Sequence, residues 1–220
     1  MRKCKSIDVK ASLTLALLFC LIFSTTLTAQ EERYLFFLHN RFLETHALED
    51  QHPDYGRAEY REIIAAFERE GFVVISEKRK GDVNARDYAQ KVVKQIDSLL
   101  AQGVAPGAIT VVGTSKGGYI AQYVSTLAAN GDLNFVFVGS FRETDLETIP
   151  HIQFCGNILT IYEKTDPYGV SAVRRKETSS LPIPHFKEVE LQTGLGHGFL
   201  FRAMDEWIVP AAAWARAKYD

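Results

Sequence analysis

Ala108-Ile109-Thr110-Val111-Val112-Gly113-Thr114-Ser115-Lys116-Gly117-Gly118-Tyr119 is the stretch on which the fold turns. An apolar run of strand length ends at Gly113, a serine follows two residues on, and from Tyr119 to Ala129 apolar residues recur at helical spacing. The stretch reads as strand, tight turn and helix, with Ser115 on the turn in a G-x-S-x-G pattern. A serine placed there projects its hydroxyl from the sheet edge, and the next backbone N–H faces the same point in space. The glycines have a steric role, because a Cβ at 113 or 117 crowds the place where strand and helix approach, and Gly118 adds room. An ordinary strand-to-helix loop is the competing reading of the pattern taken alone. The chemistry of the serine therefore depends on what the rest of the chain brings to it.

A serine hydroxyl needs a base, and the base needs an orienting acid. Asn157 to Tyr162 reads as a strand that runs into Glu163-Lys164-Thr165-Asp166-Pro167-Tyr168-Gly169, which puts Asp166 just past a strand's carboxyl end. Glu163 is the alternative acid, but it abuts the strand itself, so Asp166 in the turn is the expected one. The alternating run Phe186 to Leu191 leads into Thr193-Gly194-Leu195-Gly196-His197-Gly198, and His197 falls just past the next strand end. Ser115, Asp166 and His197 thus all lie at carboxyl ends of strands, where open α/β sheets place their sites.

Here the chain resembles the α/β-hydrolase superfamily, over nearly all of Tyr34 to Lys218. The matching segments are Phe36-Phe37-Leu38-His39-Asn40, Gly113-Thr114-Ser115-Lys116-Gly117, Tyr162-Glu163-Lys164-Thr165-Asp166-Pro167 and Gly196-His197-Gly198-Phe199. The resemblance implies a three-layer α/β/α sandwich with a mostly parallel sheet of about six strands and no cap domain. It also implies that the first two core strands exchange places, leaving a switch point beside the serine turn. Ser115 then resembles the nucleophile, Asp166 the acid and His197 the base. The backbone N–H of Lys116 and a second N–H from the loop His39-Asn40-Arg41, taken as that of Arg41, would form the oxyanion hole. Since only the N–H of Lys116 is used, substitution of its side chain is expected to matter little. Many members carry His-Gly where this chain has His39-Asn40; asparagine visits left-handed conformations more readily than most residues, so the loop can keep its shape. His39 is expected to pack that loop rather than take part in chemistry.

The implied activity is that of a serine hydrolase cleaving a small ester, thioester or amide through an acyl-enzyme, with carboxylic ester hydrolysis first among these. The expected partner is a small molecule, and no cofactor and no metal are expected. A catalytically idle hydrolase-fold binding protein and a small serine peptidase remain as alternatives. The serine turn has neither the G-x-x-x-x-G-K-[ST] spacing of a phosphate-cradling loop nor an S-x-x-K signature.

The 220 residues, 46% hydrophobic and 24% charged, suit one globular domain with a substantial core. Residues 1–29 stand apart. Arg2, Lys3, Lys5 and Lys10 precede the apolar stretch Ala11 to Phe23, and small and polar residues end at Thr28-Ala29-Gln30. This is the outline of a secretory signal peptide cleaved after Ala29, although Leu27 is larger than the ideal residue at that position. A retained anchor is the alternative, but the apolar stretch is shorter than the ~20 residues a spanning helix needs. An exported protein of residues 30–220, periplasmic or extracellular and without a membrane span, is therefore expected. The leader holds four bases and one acid, so the remainder carries 21 Lys and Arg against 26 Asp and Glu, a formal net charge of −5. That balance does not suit a nucleic-acid partner. Of the three cysteines, Cys4 and Cys20 lie in the leader, and Cys155 is expected as a buried small hydrophobe.

Beyond residue 33 strands and helices alternate without repeats or linkers, with helices expected over Arg57 to Glu70, Ala85 to Ala101 and Phe199 to Lys218. His39 to Tyr55 reads as a polar, acid-rich loop; its His46 and His52 lack metal-ligand spacing and are expected to be solvated. Arg79 and Lys80, past the end of the strand Phe72 to Ser76, are expected in a solvated loop. Trp207 and Trp214 are expected as core anchors.

Overall fold

A computed structural model describes residues 32–220; the expected signal peptide at 1–29 lies outside the described residues. Six strands form one sheet: β1 (Arg33–Leu38), β2 (Phe72–Ile75), β3 (Ile109–Thr114), β4 (Asn134–Val138), β5 (Asn157–Glu163) and β6 (Phe186–Leu191). Their order is β2-β1-β3-β4-β5-β6, and every neighbouring pair is parallel. The first two strands have exchanged places as expected. Because β2 lies on one side of β1 and β3 on the other, the chains leaving β1 and β3 diverge at their carboxyl ends and open a crevice there.

Parallel strands covered on both faces need apolar side chains on both. In β4, Val136 and Val138 enter one core while Phe135 and Phe137 enter the other; in β1, Leu35 and Phe37 oppose Phe36 and Leu38 in the same way. Helices α2 (Tyr60–Arg69) and α7 (Asp205–Ala215) cover the first face, contributing Ile63, Phe67, Trp207 and Trp214. Helices α3 (Ala85–Ala101) and α4 (Lys116–Ala128) cover the second with Val92, Ile96, Ile120 and Val124. The change of face follows from right-handed crossovers, since the sheet grows one way from β1 to β2 and the other way from β3 onward. Asn84 caps α3, its Oδ1 accepting from the N–H groups of Arg86 (3.0 Å) and Asp87 (3.1 Å). Cys155 is buried, as expected.

Three local expectations are corrected. The segment 39–55 is not plain loop, for it holds the short helix α1 (Phe42–Thr45), and Gln51–His52 pairs with Gly56–Arg57 in a small hairpin. The second helix starts at Tyr60 rather than Arg57, since Arg57 is taken up by that hairpin. The last helix is broken: Gly196–Phe201 is a 3-10 segment, and α7 begins only at Asp205. Glu59 Oε2 accepts from the Ala203 N–H (2.8 Å), and the Trp207 indole donates to the Arg202 carbonyl (2.9 Å), so the linking backbone is held in a non-helical course. Between β4 and β5 the chain has only the short helix α5 (Asp145–Thr148), and between β5 and β6 only α6 (Val173–Thr178), so among the described residues no cap domain stands over the carboxyl edge. Among the described residues no helix is long and apolar enough to cross a membrane.

Candidate active site

Ser115 joins β3 to α4 with φ 49° and ψ −118°, a region that costs a non-glycine residue on the order of 1–3 kcal/mol. Its N–H donates to the Val138 carbonyl (2.9 Å), and its own carbonyl accepts from the Tyr119 N–H (3.1 Å). The glycines around it have no room for a side chain. A Cβ on Gly113 would lie 2.2 Å from the Gly117 oxygen, one on Gly117 would lie 1.9 Å from the Leu38 oxygen, and one on Gly118 would lie 2.3 Å from Ser140 Oγ. The start of α4 is thereby pressed against the end of β1, next to the loop that follows it.

The three residues singled out in sequence meet at this point. His197 Nε2 lies 2.9 Å from Ser115 Oγ, and His197 Nδ1 lies 2.7 Å from Asp166 Oδ2. The Asp166 side chain is fully buried and that of His197 is 10% exposed. Asp166 Oδ1 accepts from the Tyr168 N–H (2.8 Å), so the ionised carboxylate accepts on both oxygens. An ionised carboxylate only accepts, which puts a proton on Nδ1 and leaves Nε2 to accept from the serine. Gly139 and Gly169 make space for the carboxylate: a Cβ on either would come within 3.3 Å or 2.9 Å of Asp166 Oδ2. Glu163, the alternative acid, has another task. Its Oε2 accepts from Thr165 N–H (2.7 Å) and Oγ1 (2.5 Å), and its Oε1 accepts from the Gly194 N–H (3.0 Å). Burial raises its pKa, but these hydrogen bonds outweigh it and hold the group below its ordinary value.

The loop after β1 brings His39, Asn40 and Arg41 beside the serine turn. Among the described residues neither the Lys116 nor the Arg41 backbone N–H has an intramolecular acceptor, and both residues line the cleft with Ser115. Asn40 has no positive φ, so its left-handed freedom is not used; its Oδ1 accepts instead from the Leu43 N–H (3.4 Å). His39 is buried and its Nε2 accepts from the Arg79 N–H (2.8 Å), which places the proton on Nδ1, donated to the Asn40 carbonyl (2.7 Å). Burial, followed by the nearby Arg79 guanidinium, pushes its pKa down to about 3. His39 thus packs the loop as a neutral ring, as expected.

Two expectations fail here. Arg79 is not solvated: its side chain and that of Glu44 are both 0% exposed, joined Nε to Oε1 at 2.8 Å. Arg79 Nη2 also donates to the His39 carbonyl. Nor is the Lys116 side chain idle, since its Nζ lies 2.6 Å from Glu44 Oε2 and 2.7 Å from Asp82 Oδ1, and Asp82 also pairs with Arg41 (3.0 Å). One ionic cluster therefore ties the start of α4 to the loop carrying the second free N–H. Its members are scattered along the chain, and no local pattern in the sequence marks it.

The serine opens into a cleft of about 730 Å³ lined by Arg41, Tyr55, Lys116, Tyr119, Arg142 and Tyr168 among others. Tyr55 and Tyr168 stand edge-on to the His197 ring at 6.1 and 5.4 Å. His46 and His52 also line the cleft: His46, exposed as expected, stacks on Phe42 (4.0 Å), and half-buried His52 stacks on Tyr55 (4.4 Å).

This sheet order, crossover pattern and serine turn define the α/β-hydrolase fold, and solved structures share it. SOBER1 from Arabidopsis thaliana matches with a TM-score of 0.55 at 15% identity, over 86% of this chain and 100% of that one. An esterase/lipase from an uncultured bacterium matches with a TM-score of 0.59 at 11% identity, over 86% and 78%. A CIB-like hydrolase from Thermoplasma acidophilum matches with a TM-score of 0.53 at 15% identity, over 86% and 89%. No family model and no curated protein sequence matches the chain.

Proposed function

We propose that this protein is an exported serine hydrolase that cleaves a small carboxylic ester through an acyl-enzyme. The observation that carries the reading is the unbroken chain Ser115 Oγ, His197, Asp166, at 2.9 and 2.7 Å. In the first step His197 Nε2 takes the hydroxyl proton as Ser115 Oγ attacks the ester carbonyl, and buried Asp166 stabilises the imidazolium. The tetrahedral oxyanion is met by the N–H groups of Lys116 and Arg41, which among the described residues have no other partner. Each such donor contributes on the order of 10²–10³ in rate. His197 then returns the proton to the leaving alcohol as the Ser115 acyl ester forms; the same imidazole next takes a proton from a water whose oxygen attacks the acyl carbon, and gives it to Ser115 Oγ as the Oγ–acyl bond breaks and the acid leaves. Esterase and hydrolase names among the structural neighbours favour this chemistry, and the leader-like sequence of residues 1–29 supports export.

A fluorophosphonate probe tests the nucleophile. The purified protein should be labelled at Ser115 and hydrolyse p-nitrophenyl acetate, and Ser115→Ala should lose both while retaining its fold by circular dichroism. A folded Ser115→Ala variant that keeps more than a small fraction of the hydrolysis rejects the proposal.

A further inference from the structure

The charge of the cleft runs against the charge of the chain. Beyond residue 29 acids outnumber bases, yet Arg41, Lys116 and Arg142 line the cleft with, among the described residues, Asp54 as the only lining acid. The carboxylates that balance the three cations lie outside the lining, with Glu44 and Asp145 buried behind it. Arg41 and Lys116 are occupied by Asp82 and Glu44. Arg142 is different.

Its guanidinium is anchored from one side only. Nη2 pairs with Asp145 Oδ1 at 3.3 Å, Nε donates to Tyr119 Oη at 3.2 Å, and the group lies 5.8 Å over the Tyr119 ring. Asp145, whose side chain is 1% exposed, is itself fixed: its Oδ2 accepts from the Tyr119 hydroxyl (2.5 Å) and from the Arg142 N–H (2.8 Å). The Arg142 side chain remains 52% exposed on the cleft, and among the described residues its Nη1 has no partner. An arginine held rigidly along one edge, with its other donors free, is preorganised to bind a planar anion. Tyr119 lies in the first turn of α4, four residues after Ser115, so its Cα stands about one helical turn from that of the serine, and Ser115, Tyr119 and Arg142 line the same cleft.

We infer that the cleft takes an ester bearing a carboxylate a few carbons from the reacting carbonyl, and that Arg142 holds that carboxylate. The inference rests on Ser115 being the nucleophile and adds a substrate class to that reading. It is tested with mono-p-nitrophenyl adipate, which carries a free carboxylate, against its neutral isostere p-nitrophenyl adipamate. The wild type should favour the adipate in kcat/KM by about tenfold or more, as a hydrogen-bonded ion pair requires. Arg142→Gln should bring the ratio near one, chiefly through KM, and Arg142→Lys should restore part of it. Free adipate should compete with fluorophosphonate labelling of Ser115 in the wild type and not in Arg142→Gln.

Competition without an ester preference still supports the inference, and places the carboxylate on the leaving-group side. Equal use of both esters, with labelling intact and no competition, overturns the substrate class and leaves the hydrolase standing. Absence of hydrolysis and of labelling overturns both.

Discussion

Glu44→Gln keeps the size of a fully buried side chain and removes its charge. Arg79, equally buried, then has no carboxylate, and Lys116 keeps only Asp82. Glutamine retains one acceptor oxygen but sets an NH₂ where the second acceptor stood, so one of the two cations faces a donor. Stripping a buried ion of its partner costs about 3–5 kcal/mol, a large share of the ~5–15 kcal/mol of an ordinary domain. With a urea m-value of about 2 kcal/mol per M, a loss of 3 kcal/mol lowers the unfolding midpoint by about 1.5 M. Arg79 also holds the carbonyl of His39, two residues before Arg41. A loosened Arg79 therefore reaches the proposed second oxyanion donor, and kcat should fall by up to the ~10²–10³ that loss of one donor entails. Urea unfolding followed by the fluorescence of the buried Trp207 and Trp214, with p-nitrophenyl acetate kinetics below the transition, reads both effects. Lys116→Met serves as the graded control, since Glu44 then keeps Arg79; its midpoint should fall less. A Glu44→Gln midpoint within about 0.3 M of wild type, with kcat unchanged, refutes the electrostatic account of the loop.

Asp166→Asn should lower kcat by about 10⁴: the amide oxygen keeps the Tyr168 N–H, so the NH₂ faces His197 Nδ1 and forces the wrong tautomer, and a loss under tenfold contradicts the assigned role. His39 is held at about 3 against an unfolded value near ~6.5, so the unfolded chain binds the extra proton between these values. Stability should therefore be full above pH ~6.5 and decline by up to ~1.4 kcal/mol per pH unit below it. His39→Gln should flatten that slope in urea midpoints measured from pH 7 to 4, and an unchanged slope assigns the acid sensitivity elsewhere. Gly117→Ala forces a Cβ to 1.9 Å from the Leu38 carbonyl and should cost about 3 kcal/mol or more, whereas Gly131→Ala, whose Cβ meets nothing closer than 3.5 Å, should unfold near the wild-type midpoint.

The strands themselves, both faces of the core and the placing of Ser115, Asp166 and His197 at strand carboxyl ends were legible because each rests on local pattern, whereas the exchange of the first two strands came only from the family resemblance. Apolar runs set the strands, and glycine-rich or turn-forming loops at their ends set where the side chains emerge. What sequence reading lost was long-range and electrostatic. Glu44, Arg79, Asp82 and Lys116 look like ordinary surface charges one by one, and nothing local says that Arg79 is buried against Glu44, 35 residues away. The small hairpin at Gln51–His52 and Gly56–Arg57 was hidden because two-residue strands carry no usable periodicity. The last helix was expected to start too early, at Phe199, because the hydrogen bonds that hold 202–203 out of the helix involve Glu59 and the Trp207 indole, neither visible as a cap in the sequence.

Glu163 has a consequence for how this protein breathes. One carboxylate grips the backbone of the segment bearing Asp166 and the segment bearing His197, so opening either means releasing both. The amides of Thr165 and Gly194 should accordingly exchange with solvent deuterium as a single cooperative unit, and a molecule caught in that opening would carry Asp166 and His197 away from Ser115 together.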